Sequence, residues 1–155
     1  MKESIWADGI AAKINNEDIL TPEDLQKMAI NFIIKDILIP NGYLLEKGFP
    51  RIGFPNIICK KDNQVYAIIV FGSMFPNICL IQDKLRIEFV KQSKIPNITP
   101  LYANVGFVSI DKERASKSIG LKGDLFKPLL PGFVLLNDEE KQNILDKKHL
   151  ITITN

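Results

Sequence analysis

Apolar residues recur at helical spacing between residues 22 and 39, the most regular segment of the chain. Thr21-Pro22-Glu23-Asp24 predicts the helix start, because Thr can cap the first turn, Pro suits it, and Asp three residues after the cap completes a capping box. Pro40 predicts the end, since proline cannot continue a helix. The predicted buried stripe consists of Leu25, Met28, Ala29, Phe32, Ile33 and Ile37.

Beyond this helix the apolar period changes to that of β-strands. Tyr43–Glu46 predicts a short strand, and residues 56–60 and 64–71 predict a hairpin closed by Lys61-Asp62-Asn63. The second hairpin strand is apolar almost throughout, which is typical of a strand covered on both faces in an α/β sheet. Leu101–Ile110 predicts a further apolar strand.

Residues 80–93 fit both a helix and a strand. Lys84–Phe89 alternates as a strand does, whereas Ile81, Leu85 and Phe89 share one helical face. Ile87 and Val90 would lie off that helical stripe. The pattern leaves this choice open.

The two ends of the chain carry weaker patterns. Residues 1–20 predict a short helix that packs Trp6 onto the body. Residues 72–77, which contain a proline, predict a loop after the second hairpin strand, and the polar, basic residues 111–123 predict a long mobile loop. The C-terminal predictions are short β runs around Pro131-Gly132 in residues 126–136, a polar helix over 138–148 and a short strand over 150–154.

Composition and charge narrow the class of protein. A chain of 155 residues that is 46% hydrophobic and 25% charged predicts one folded domain, 1–155. A net charge of +2 does not by itself indicate a nucleic-acid or membrane partner. Neither a signal peptide nor an apolar run of roughly 20 residues is present, so we expect a cytoplasmic protein without a membrane span.

Cysteine and histidine are too scarce for several kinds of site. Cys59 and Cys79 are the two cysteines, and we expect both to be small buried hydrophobic residues without a disulfide scaffold. His149 is the one histidine, and we expect it on the surface of a terminal helix. A Cys/His zinc site and a Ser-His-Asp arrangement are therefore not expected.

Residues 22–110 predict a helix, a short strand, a hairpin, an apparent helix and a further strand, in that order. Asn41-Gly42-Tyr43 lies at the end of the first helix, and Pro55-Asn56 lies at the start of the hairpin. This order of elements resembles the core of the PD-(D/E)xK nuclease-like superfamily. The resemblance implies an α/β, restriction-endonuclease-like core: a central mixed sheet of at least four strands flanked by helices. Residues 111–155 would then be a C-terminal extension. In that family an Asp on the second strand and a Glu-x-Lys on the third hold a divalent metal and a water beside the phosphate.

The resemblance places unsuitable residues at the family's site positions. Asn56 matches the Asp, Ile69 and Phe71 match the Glu and the Lys, and Gln26 matches an acidic residue of the first helix. A shifted alignment does not restore the site, because no Asp, Glu or Lys occurs between Gln64 and Pro76. We therefore expect a noncatalytic binding or interaction module without a cofactor, whose ligand is a nucleic acid or a protein.

One alternative is a metal-dependent phosphodiesterase or nuclease with relocated acidic residues. Glu46, Asp83 and Glu88 would then hold Mg²⁺ or Mn²⁺, with Lys84 facing the phosphate. The simpler interpretation of these residues is that of solvated charges and ion-pair partners. A further alternative is a homo-oligomeric structural protein whose central strand and Trp6 form an interface.

The basic segment supplies a candidate for contacts with nucleic-acid phosphates. Acidic neighbours and the lack of interleaved aromatic residues favour a solvated loop over a binding surface. The candidate residues are Lys112, Arg114, Lys117 and Lys122.

Overall fold

A computed structural model describes residues 6–7, 10–11, 18–51, 53–151 and 153. The α-helices and strands of these residues are β1 (Trp6–Ala7), β2 (Ile10–Ala11), α1 (Pro22–Phe32), β3 (Leu44–Leu45), β4 (Ile57–Lys61), β5 (Gln64–Met74), α2 (Asp83–Ser93), β6 (Thr99–Ser109), α3 (Lys112–Ser116), β7 (Phe126–Leu129), β8 (Phe133–Leu135) and β9 (Leu150–Ile151). A π-helical segment, Ile33–Leu38, and 3-10 turns, Ile39–Asn41 and Lys147–His149, complete the helical elements.

Seven of the strands form one mixed sheet in the order β3-β4-β5-β6-β8-β9, and β7 also pairs with β6. β4 is antiparallel to both of its neighbours, whereas β5 and β6 are parallel and are connected through α2. β7 and β8 are antiparallel to different ends of β6. The structure thus confirms an α/β fold with a mixed sheet of more than four strands.

The predicted capping box opens α1. The Thr21 hydroxyl accepts a hydrogen bond from the backbone N–H of Asp24 at 3.1 Å, and the backbone N–H of Thr21 donates to the Asp24 carboxylate at 2.9 Å. These bonds lower the pKa of Asp24. The helix continues through the π-helical Ile33–Leu38 and ends in the turn that contains Pro40, where Gly42 adopts the left-handed φ of 84°. The predicted helix is confirmed.

β5 is covered on both faces, as its apolar sequence predicts. Ile68 and Val70 lie in the core that contains the buried stripe of α1, and Ile69 lies in a second core with Phe89 and Val90 of α2. Gly72 lets α1 approach, because a Cβ there would lie 2.2 Å from the carbonyl oxygen of Leu25. The predicted loop at residue 72 is wrong, because β5 pairs with β6 as far as Met74.

Residues 83–93 form the helix α2, which settles the open choice for this segment. The helical stripe contains a fully buried arginine, Arg86, together with Phe89 and Val90. The Arg86 guanidinium donates to the carbonyl oxygen of Asn137 at 2.5 Å, so a charged residue occupies a core position that the hydrophobic pattern does not reveal.

Two predictions for the C-terminal third are wrong. Residues 111–123 contain α3, whose first turn is capped by the Asp111 carboxylate, in place of a continuous loop. Residues 138–148 do not form the predicted helix. Instead, the side chains of Asn137, Asn143 and Asp146 each accept a bond from the backbone N–H two residues later, and such local bonds compete with helix formation.

The remaining predictions have mixed outcomes. The backbone of β1 and β2 forms an antiparallel pair where a helix was expected, and the packing of the Trp6 side chain lies outside the described residues. Cys59 is buried and Cys79 is half-buried. His149 is half-buried in the 3-10 turn Lys147–His149, in place of a terminal helix. None of the helices described is long and apolar enough to cross a membrane.

Candidate functional site

Two amide side chains extend the hydrogen-bond ladder of β5 beyond the start of β4. The Asn56 Oδ1 accepts from the backbone N–H of Val70 at 2.7 Å. The Gln26 side chain donates through Nε2 to the carbonyl oxygen of Val70 and accepts through Oε1 from the N–H of Gly72 at 3.2 Å. Two of the four positions that the nuclease resemblance singles out therefore meet at one residue of β5. We call Gln26 and Asn56 the amide ladder.

The other two positions of that set flank Val70 but lie on the opposite face of the sheet. Ile69 is fully buried in the core against α2. The ring of Phe71 lies 5.3 Å from that of Phe54 and 5.8 Å from that of Tyr102, measured between centroids. One face of β5 thus carries amides that are already bonded to the backbone, and the other face carries packed apolar side chains. Neither face carries the carboxylates that a catalytic Mg²⁺ requires.

The proposed relocated acidic residues are only partly brought together. Asp83, Lys84 and Glu88 line an open surface cleft along α2, with a volume of about 710 Å³. Glu46 is not among the lining residues and lies after β3, where its backbone N–H donates to Ile58. Within the described ranges, no three Asp, Glu, His or Cys side chains form a group that could hold a metal ion.

The basic segment separates into one structural arginine and three lysines. Arg114 is buried and its guanidinium bonds both carboxylate oxygens of Asp124, at 2.6 and 2.8 Å. Lys112 and Lys122 are exposed, and Lys117 is half-buried. The expectation that Arg114 contacts a ligand does not agree with this geometry, because its guanidinium closes the segment onto Asp124.

Sequence reasoning missed a groove on the α2 face of the sheet. This apolar groove lies between β6, the segment that follows β5, the bend between β7 and β8, and residues 144–150, and its volume is about 680 Å³. The walls are mainly aliphatic, aromatic and proline side chains, including Phe75, Ile78, Tyr102, Pro128, Leu145 and Leu150.

A break in the sheet forms one wall of the apolar groove. Pairing of β6 with β7 ends at Gly106 and Leu129, and pairing of β6 with β8 resumes at Tyr102 and Val134, so that residues 130–133 face one residue fewer on β6. This is a bulge at Pro131-Gly132, and proline suits it because it has no N–H to donate. The Pro-Gly turn is visible in the sequence, but its position beside β6 is not.

Polar groups inside the apolar groove hold the segment that follows β5. The Tyr102 hydroxyl and the Asn104 side-chain amide both donate to the carbonyl oxygen of Cys79, the latter at 3.2 Å. Burial raises the pKa of Tyr102, so its hydroxyl stays protonated at neutral pH. Since the ring of Tyr102 also contacts Phe71, the groove adjoins the position that the resemblance assigns to the family's lysine.

The fold and these surfaces define an α/β protein with a mixed sheet, a bonded amide ladder beside its central strand and an open apolar groove. A family model, a domain of unknown function (DUF8840), matches residues 23–145. The match covers most of the chain, which therefore belongs to the DUF8840 family. Neither the curated proteins nor the solved structures include a match to this chain.

Proposed function

We propose that the chain is a noncatalytic binding module on a nuclease-like α/β core, and that its ligand is a nucleic acid. The order of elements supports the nuclease-like part of the proposal. The helix α1 precedes the antiparallel strands β3, β4 and β5, and α2 then leads to β6, which is parallel to β5. This is the element order on which the resemblance rests.

The amide ladder is the observation that carries the noncatalytic part. Gln26 and Asn56 occupy positions where the resemblance implies carboxylates, and their polar atoms bond the backbone of β5. An amide is a weaker ligand for a divalent cation than a carboxylate because it carries no charge, and these amides are already engaged. The two positions thus contribute to folding and leave no acidic pair for metal chemistry.

The segment around α3 supports the choice of ligand. Asp111 and Asp124 both contact the buried Arg114, which neutralises one of these two negative charges. Lys112 and Lys122 are exposed, and the half-buried Lys117 lies between them in the chain. Three cations on one short segment suit contacts with successive phosphates, which position a nucleic acid without reading its sequence.

Fluorescence anisotropy with labelled single- and double-stranded DNA and RNA tests the proposal. In EDTA we expect binding that weakens as salt rises, with a slope of roughly 0.7–0.9 for each phosphate contact. The combined variant Lys112→Gln, Lys117→Gln and Lys122→Gln is expected to lose most of the affinity and to reduce the slope. The matched control replaces three lysines of the α2 cleft by Gln, namely Lys84, Lys91 and Lys141, and is expected to bind as the wild type does.

Two outcomes contradict the proposal in different ways. Cleavage of the nucleic acid with Mn²⁺ that disappears in Glu88→Gln would identify a relocated metal site and overturn the noncatalytic interpretation. An absence of salt-dependent binding to all four probes would overturn the choice of nucleic acid and would direct the search to a protein partner.

A further inference from the structure

The apolar groove has the size and the lining of a small-molecule site. Its volume of about 680 Å³ falls within the roughly 300–1,000 Å³ of typical ligand pockets, which are mostly apolar with a few polar groups. Several wall residues are large apolar side chains that remain open to solvent: Phe75 is 49% exposed, Ile78 54% and Leu145 60%. Contact with an apolar molecule would remove these surfaces from water, which is favourable.

The apolar groove carries a positive charge, which favours a ligand with a negative charge. Lys147 is the one charged residue among the described residues that line it, and no carboxylate is among them. The next residue, Lys148, lies 3.7 Å from the carboxylate of Asp146, whereas Lys147 has no ion-pair partner in the described part of the chain. A single cation beside apolar walls complements a molecule with an apolar body and one negative charge.

We propose that the apolar groove binds a small amphipathic carboxylate. The hydrocarbon body lies against Phe75, Ile78 and Leu145, and the carboxylate lies toward the ammonium group of Lys147. This site is separate from the lysines around α3, because Lys112, Lys117 and Lys122 are not among the residues that line the groove. The inference therefore does not depend on the proposed nucleic-acid function.

Macromolecular ligands fit the apolar groove less well. A nucleic acid needs several cations along its phosphates, and the groove offers one. A stable protein interface uses roughly 20–30 residues on each side, which is more than line the groove. A hydrocarbon chain with a terminal carboxylate suits the apolar walls and the single charge, and a chain of about eight carbon atoms fits within the groove with room to spare.

Isothermal titration calorimetry with octanoate, 1-octanol and octylamine tests the chemical class. The three probes share one hydrocarbon chain and differ in the charge of the head group. We expect saturable binding of one octanoate per chain, affinity about 2- to 5-fold weaker for octanol because an exposed ion pair contributes modestly, and still weaker binding of octylamine.

Paired variants locate the site. Leu145→Glu is expected to weaken octanoate binding about tenfold or more, because it removes apolar contact and adds a like charge. Leu125→Glu is the matched control: Leu125 is 71% exposed but does not line the groove, so binding should not change. Lys147→Gln is expected to bring the affinity for octanoate down to that for octanol, whereas Lys148→Gln should preserve the difference. Because all four positions are exposed, the variants are expected to fold.

The proposal is overturned if octanoate shows no saturable binding, which would leave an apolar peptide as the occupant to test. Equal weakening by Leu145→Glu and Leu125→Glu would also overturn it, because binding would then not occur in the groove. Binding of octylamine as tight as that of octanoate would contradict the choice of an anion.

Discussion

Asn56 connects the loop before β4 to the middle of β5. It is fully buried, and its side chain accepts from the N–H of Val70 while donating to the carbonyl oxygen of Arg51 at 3.2 Å. The backbone of Asn56 bonds the same two regions, through Ile68 and Arg51. One residue thus satisfies four polar groups, so its replacement affects both segments.

Asn56→Ala is expected to lower the free energy of unfolding by about 1–3 kcal/mol, because it leaves buried backbone groups without partners. Urea denaturation followed by circular dichroism measures the change. The control, Asn31→Ala, alters an exposed position of α1 and is expected to be neutral or slightly stabilising, since Ala favours helix more than Asn does. Equal denaturation midpoints for wild type and Asn56→Ala would contradict the structural role of this amide.

The Arg114–Asp124 ion pair differs from the surface ion pairs in its burial. Its side chains are 7% and 12% exposed, whereas those of the Lys27–Glu23 pair are 57% and 62% exposed. Removing one member of a buried pair leaves an uncompensated charge, which is costly, but an exposed pair contributes little.

Asp124→Asn is expected to destabilise the fold by about 1.5–3 kcal/mol, because it removes charged hydrogen bonds to Arg114 while Asp111 remains 3.6 Å from the guanidinium. Glu23→Gln is expected to cost less than about 1 kcal/mol. Thermal and urea unfolding of both variants provide the comparison. Similar losses in the two variants would show that Asp124 does not neutralise a buried arginine.

Cys59 is expected to make stability depend on pH in the alkaline range. Burial, with a smaller effect of the nearby Glu46 carboxylate, raises the pKa of the Cys59 thiol to about 12. The unfolded thiol ionises near its ordinary pKa of about 8.5, so above that pH the unfolded state loses a proton that the folded state retains. The free energy of unfolding therefore falls as pH rises, by up to about 1.4 kcal/mol per pH unit for this group.

The Cys59→Ala variant is expected to lack this contribution, so the difference in stability between wild type and variant should narrow above about pH 9. Urea denaturation across pH 7.5–10.5 measures this difference. A gap that stays constant with pH would contradict the raised pKa.

At the scale of elements, the contact between α1 and β5 depends on Gly72. A Cβ at this position would lie 2.2 Å from the carbonyl oxygen of Leu25 and 2.8 Å from the Cβ of Ala29. The helix would have to move away from the sheet, and Gln26 would move with it, because it bonds Val70 and Gly72 from the same helix.

Gly72→Ala is expected to cost about 1–3 kcal/mol or more of stability through overpacking. Gly53→Ala serves as the control, because a Cβ there meets nothing within 4 Å, and its effect is expected to be within about 0.5 kcal/mol. Chemical denaturation distinguishes the two. A neutral Gly72→Ala would show that α1 does not pack as closely on β5 as described.

The elements that sequence predicts well depend on local bonds. The capping box of α1 joins residues three apart, and the hairpin turn uses Asp62 and Asn63 at φ values of 52° and 68°, which both residues tolerate. The helix α2 is harder to predict, because a buried arginine, Arg86, interrupts its apolar pattern. Its guanidinium pairs with Asp83 in the same helix and donates to the carbonyl oxygen of Asn137, far away in the chain.

At the scale of the whole molecule, the candidate sites depend on contacts between distant segments. The sequence places amides at Gln26 and Asn56, where the nuclease resemblance implies carboxylates, but it does not predict that both amides bond Val70, because those bonds span 44 and 14 residues. The apolar groove is equally hidden, since Tyr102, Pro131 and Leu145 come together only when β6, the β7–β8 bend and the C-terminal segment assemble.

An ion pair within the basic segment explains why the count of basic residues overestimates its free positive charge. Counting Lys112, Arg114, Lys117 and Lys122 gives four cations, yet the fold assigns Arg114 to Asp124. Lys112 and Lys122 are exposed on the segment that we propose for phosphate contacts, and Lys117 is half-buried. A run of basic residues therefore indicates a binding surface only once the ion-pair partners of those residues are known.

Titration of the protein with Mn²⁺, followed by the electron paramagnetic resonance signal of free Mn²⁺, tests most directly the claim that the chain holds no catalytic metal. We expect the free signal to rise in proportion to added Mn²⁺, and equally so for wild type and Glu88→Gln. Stoichiometric uptake of Mn²⁺ by the wild type that is lost in Glu88→Gln would contradict the noncatalytic proposal and establish a relocated metal site.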